Sequence, residues 1–103
     1  MEYRINRLYY ACFYAVTSLL LSGEIETKTH SGTKQLFGLH FVKTGKISEE
    51  NNKLYTKLFH MRQSADYEDG VEYTESDLLP LMAPVQELIF LIDEILSKAI
   101  SAL

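Results

Sequence analysis

Tryptophan is absent from this 103-residue chain, cysteine occurs once, and glycine and proline together fill only seven positions. A single cysteine excludes an internal disulfide framework and a cysteine-based zinc site, so Cys12, set in an apolar stripe, reads as core filler. Scarce Gly and Pro beside plentiful Leu, Ile, Phe and Tyr exclude collagen-like and disordered chains and favour helices. No apolar run approaches the roughly 20 residues of a membrane span. The longest, Leu8 to Leu21, contains Tyr9, Tyr10 and Tyr14, and no Ala-x-Ala leader site follows it although Arg4 and Arg7 precede it. A cytoplasmic chain with no membrane partner is expected. Nor is positive charge in excess. The formal net charge of −4 argues against a general binder of nucleic-acid phosphates. That average conceals an asymmetry: residues 1–62 hold nine Lys or Arg against five acids, and residues 63–103 hold one Lys against nine acids. The amino-terminal part can therefore still present a basic surface.

What the chain does contain is helical periodicity. Ile5, Leu8, Tyr9, Cys12, Val16, Leu19 and Leu20 recur at three- and four-residue steps. A second stripe, Tyr3, Tyr10, Tyr14, Thr17 and Leu21, lies roughly 150° around the same helix. A helix apolar on two sides is expected to be central in a bundle or shared with a second chain. Gly23 is its expected stop. Thr29 or Ser31 caps a second helix carrying Leu36, Phe37, His40, Phe41 and Val42, and Gly45 ends it. Ser48 before Glu49 and Glu50 starts a third, which buries Leu54, Leu58, Met61 and Ala65. A loop containing Gly70 leads to Thr74, Ser76 or Asp77, one of which caps a long last helix with its stripe from Leu78 to Ala99. Pro80 falls in the first turn if Asp77 is the cap, and Pro84 is expected to kink the helix or delay its start. The fold class is all-α: one domain, residues 1–103, an antiparallel bundle of about four helices over approximately 3–22, 31–43, 48–67 and 75–101.

The chain has no Gly-rich phosphate loop, no Gly-x-Ser-x-Gly elbow and no Cys–His nucleophile arrangement. His30, His40 and His60 form no His-x-x-x-His pair, so no metal or cofactor is expected. His30 reads as shaping the start of the second helix, and His40 as a hydrogen-bonded, partly buried residue.

Several segments together resemble the HEPN domain family of small prokaryotic helical proteins: Asn6-Arg7-Leu8-Tyr9-Tyr10-Ala11 with Phe13-Tyr14-Ala15; Lys28-Thr29-His30-Ser31-Gly32; Phe37-Gly38 with His40-Phe41-Val42-Lys43-Thr44-Gly45; and Arg62-Gln63-Ser64-Ala65-Asp66-Tyr67. The resemblance implies a helical bundle that pairs as a homodimer or higher homo-oligomer. It also implies a toxin–antitoxin context, with a nucleotidyltransferase-type protein as partner and a nucleotide or RNA as ligand. Similar proteins carry a further helix before the Asn-Arg-x-Tyr-Tyr segment, whereas five residues precede Asn6 here, through truncation or replacement by a neighbour. Ribonuclease members carry an Arg and a His with four to six residues between them. The positions five to seven after Arg62 hold Tyr67, Glu68 and Asp69, so the motif is missing and no catalytic residue is assigned.

Two readings of the candidate residues remain open. Arg62 and Asp66, four apart on one helix, form an ordinary ion pair worth about 0.3 to 0.5 kcal/mol, or Arg62 with Asp66 and Tyr67 lines a groove that binds phosphate or nucleotide. Tyr10 and Tyr14 pack helices or stack bases, and Arg7 on their flank bonds their hydroxyls or the acids of the third helix. The ligand-binding set is thus Arg62, Asp66, Tyr67, Arg7, Tyr10 and Tyr14. A catalytic alternative has Arg62 stabilise the transition state of a metal-independent ribonuclease, with Asp66, Tyr67 or His60 moving the proton. A third alternative is a dimerisation module without ligand.

Overall fold

The structure, a computed structural model, describes residues 4–67 and 72–102. It holds four α-helices: α1 (Ile5–Ser22), α2 (His30–Phe37), α3 (Glu49–Tyr67) and α4 (Glu75–Ser101), with one π-helical turn over Gly38–Val42 following α2. No strand occurs among the described residues, so the architecture is an all-α bundle. The expected helix start at Tyr3 and the turn at Gly70 lie outside the described residues. The bundle is elongated, 47 × 25 × 21 Å, as a 27-residue α4 requires when each residue rises about 1.5 Å.

α1 is the central element and packs against α2, α3 and α4, while α3 and α4 barely meet. Its first stripe behaves as the periodicity demands: Ile5, Tyr9, Cys12, Val16, Leu19 and Leu20 are all buried. Burial pushes the Cys12 thiol up to about 12, so it stays protonated and inert at neutral pH. The second stripe divides: Tyr10 packs against the core, while Tyr14 is 65% exposed and Leu21 54%.

Local chemistry sets the ends of the helices. Thr29 Oγ1 accepts the Gly32 N–H at 2.8 Å and caps α2. Ser48 Oγ accepts the Asn51 N–H at 3.2 Å and caps α3. Thr74 and Asp77 form a reciprocal capping box at α4. With Thr74 as the cap, Pro80 is not in the first turn, and α4 runs unbroken through both Pro80 and Pro84 instead of starting late. The burial of Leu78, Leu81, Val85, Leu88 and Ile92 along one face explains this, since it outweighs the two missing N–H donors.

α1 stops at the expected Gly23, its C-cap, and the left-handed residue follows it. Ile25 N–H reaches Leu20 O and Glu24 N–H reaches Leu21 O, both at 2.9 Å, with Glu24 at φ 61°. This is a Schellman ending with a glutamate in the left-handed position that glycine usually fills. Glu24→Gly is therefore expected to raise stability by about 1 kcal/mol, read as a higher urea midpoint; an unchanged or lowered midpoint would contradict the strain.

The second helix also differs from expectation in its last turn. Lys43 N–H bonds Gly38 O at 2.8 Å, five residues back, and this wider turn keeps Phe37 and Phe41 in the core while His40 points outward. His40 is thus exposed and not the partly buried residue expected; only its backbone oxygen is engaged, by Thr44 Oγ1 at 2.8 Å.

Candidate functional site

Three helices converge on the ring of Tyr9, which is fully buried. Tyr9 and Tyr10 come from consecutive positions of α1, Arg62 and Asp66 from successive turns of α3, and His30 is the first residue of α2. The Arg62 guanidinium lies 5.4 Å from the centroids of both the Tyr9 and the Tyr10 ring. This is cation–π geometry on two faces at once. The Arg62 side chain is only 12% exposed and that of Asp66 31%, with Nε 3.1 Å from Oδ2. The buried Nε–H is not aligned for a hydrogen bond, so the contact is coulombic and not directed.

His30 joins the same cluster from the other side. Its Nδ1 and the Tyr9 hydroxyl are 2.8 Å apart, and its ring lies 4.4 Å from that of Phe13 and 5.7 Å from that of Tyr10. Desolvation first, and the Arg62 charge second, hold the imidazole below its ordinary value of 6.5. His30 is accordingly neutral at pH 7, with one of its two ring nitrogens engaged by the Tyr9 hydroxyl. Sequence reasoning gave it only a role in starting α2. The available signal was a histidine directly after the cap Thr29 in one of the segments that resemble the family; nothing local ties it to Arg62.

Other expected site residues are placed differently. Tyr14 touches Tyr10 and Phe13, with ring centroids 5.9 and 5.7 Å away, and otherwise faces solvent. Arg7 is exposed and, among the described residues, its side chain meets neither the tyrosine hydroxyls nor an acid of α3, because Asp66 is taken by Arg62. Tyr67 ends α3, but its side chain lies outside the described part. His60 is exposed on the far side of α3, its ring against Phe59. Lys34 from α2 places its ammonium 5.3 Å from the Phe59 ring, adding a second cation near the Tyr9 cluster. No three His, Cys, Asp or Glu gather as a metal-binding group among the described residues.

Two pH windows follow. For both His30 and Asp77 the folded state lowers the pKa, so the unfolded chain binds the proton first and stability rises with pH. His30 contributes in full above pH 6.5 and loses its contribution as the pH falls through its lower folded value. Asp77, held down by the backbone and side chain of Thr74, does the same below 3.8. Urea midpoints are expected to decline in these two steps on acidification, with His30→Gln flattening the upper step and Asp77→Asn the lower. Arg62→Ala should in addition raise the His30 pKa in an imidazole NMR titration; an unmoved value would place Arg62 elsewhere.

A four-helix domain with an aromatic-held cation between its first and third helices defines a class of small all-α modules. The HEPN domain model matches residues 1–95, and the chain belongs to that family. It is 42% identical over 74 residues to a UPF0332 protein of Thermotoga maritima, covering 72% of this chain and 56% of the relative. It is 34% identical over 76 residues to a Methanocaldococcus jannaschii protein named "putative toxin", covering 74% and 52%. A second protein of that organism with the same designation is 40% identical over 63 residues, covering 61% and 47%. The chain spans about half the length of the curated relatives it matches. No solved structure matches it. Among the described residues no helix is long and apolar enough to cross a membrane.

Proposed function

We propose that this HEPN chain is a cytoplasmic toxin-type module of a two-protein toxin–antitoxin system, and that its Arg62 pocket takes a phosphate of RNA or of a nucleotide. The observation that carries this reading is the guanidinium held over Tyr9 and Tyr10, largely withdrawn from water and only partly compensated by Asp66. A phosphate that reaches it meets a planar, pre-oriented donor in surroundings where charge attraction is stronger than in bulk water. The naming of two relatives as toxins supports the system, and the HEPN resemblance suggests a nucleotidyltransferase-type protein as its second member. The exposed α1 stripe of Tyr14 and Leu21 supports a homodimer, with Leu21→Asp expected to give a monomer by sedimentation.

The test is retention of end-labelled single-stranded RNA by the full chain in EDTA. Arg62→Ala, with helicity unchanged, is expected to weaken retention at least tenfold, and equal retention would end this reading. A second reading is favoured by one observation: neutral His30 meets the same two tyrosines as Arg62. His30 would take the proton of the 2′-hydroxyl as its oxygen bonds to the phosphorus, Arg62 would balance the phosphorane charge, and the P–O5′ bond would break with the 5′-oxygen taking a proton from water, leaving a 2′,3′-cyclic phosphate without a metal. RNA cleavage in EDTA lost in both His30→Gln and Arg62→Ala is its signature, and binding without cleavage rejects it.

A further inference from the structure

α4 bears apolar side chains on the side turned away from its core. Advancing about 100° per residue gathers Leu78, Leu81, Val85, Leu88 and Ile92 on one face, and all five are buried. Leu79, Ala83 and Phe90 fall roughly opposite them. Phe90 is 66% exposed and Leu79 46%. Ala83, Gln86, Glu87, Phe90, Leu91 and Glu94, all of α4, line a shallow, open groove of about 380 Å³ along this outer face.

The charges around the groove have one sign. Glu87 stands one turn before Phe90 and Glu94 one turn after it, and from Glu75 to Ser97 the helix has no Lys or Arg. Among the described residues neither Glu87 nor Glu94 is engaged in an ion pair. Such a rim repels nucleic-acid phosphates and anionic lipid. It also opposes a second copy of this chain. A twofold pairing of α4 on α4 sets the acidic rims against each other.

From this geometry we propose that the outer face of α4 docks an amphipathic helix of another protein, which seats an apolar side chain against Phe90 and places Lys or Arg beside Glu87 and Glu94. A helix laid in a groove meets it through positions three and four apart, which matches the spacing of Glu87, Phe90 and Glu94. The surface shares no residue with the Arg62 pocket, so the RNA test and this one fail independently.

The experiment uses two fluorescein-labelled 18-residue helical peptides with the same leucine stripe, one flanked by lysines and the other by glutamates. Anisotropy is read against the full chain. The lysine peptide is expected to bind at least tenfold more tightly than the glutamate peptide. Phe90→Ser, at an exposed position and checked by circular dichroism, should weaken it at least tenfold, and Glu87→Lys with Glu94→Lys should invert the preference. Equal binding of both peptides, or lysine-peptide binding unaffected by Phe90→Ser, overturns the proposal. So does loss of a dimer in the Phe90→Ser variant by sedimentation, which would assign the face to a second copy.

Discussion

Replacing Tyr9 with alanine is expected to remove about 3 to 5 kcal/mol of stability, a large part of what a domain of this size possesses. The ring is wholly buried and its neighbours come from three helices: Phe13 on α1, His30 on α2, and Tyr55 and Phe59 on α3. Its removal forfeits the transfer energy of a large aromatic and opens a cavity that α1, the central helix, cannot collapse without releasing its other contacts. Tyr9→Phe is expected to cost only about 1 kcal/mol, since it keeps the packing and loses the hydroxyl contact with His30. Tyr55 supplies the contrast. Its ring stacks on Tyr9 with centroids 6.0 Å apart, and its buried hydroxyl, although near enough to that of Tyr9 to be perturbed by it, falls outside hydrogen-bond geometry. Tyr55→Phe should therefore be neutral or stabilising by up to about 1 kcal/mol, because the hydroxyl's desolvation is not repaid. Urea unfolding of the three variants decides the matter. A Tyr55→Phe loss as large as that of Tyr9→Phe would mean that the hydroxyl has a partner after all.

Arg62→Lys is expected to fold yet lose at least tenfold in RNA retention, although it preserves the charge. An ammonium has no planar face to lay on Tyr9 and Tyr10, and it carries its charge as a strongly hydrated point. The half-buried position next to Asp66 was shaped around a guanidinium, and a hydrated head drawn toward water leaves it. Arg62→Ala should go further and reduce the salt dependence of RNA binding by about one phosphate contact. Titration over a range of salt concentrations measures both effects. If lysine restores wild-type retention, the site contributes charge alone and the contact with the two tyrosine rings is structural.

Particular elements show where reading the chain succeeds. The stripe from Ile5 to Leu20 is buried apart from half-buried Leu8, that from Leu78 is buried at Leu78, Leu81, Val85, Leu88 and Ile92 but ends exposed at Ala99, and Thr29 and Ser48 cap the helices they precede. These are local matters of three- and four-residue spacing and of hydroxyls near free N–H groups. Where local choices compete, the structure selects among them. Thr74, Ser76 and Asp77 were the expected caps of α4, and the reciprocal bonding of Thr74 with Asp77 makes Thr74 the cap. Gly23 is the stop of α1 as read, while the left-handed position of the Schellman ending falls on Glu24, which no local signal marks.

The candidate site was half legible. Arg62 and Asp66 announce themselves by their spacing, but that spacing is shared by any exposed ion pair and says nothing about burial. The sequence by itself determined an all-α chain of four helices and its membership of a family, because helix periods, caps and family motifs are all short-range patterns. Only the tertiary structure decided that His30 and Arg62, thirty-two positions apart, meet across Tyr9. That meeting depends on how α2 and α3 settle around the central α1, which packing of whole faces decides and no local spacing encodes.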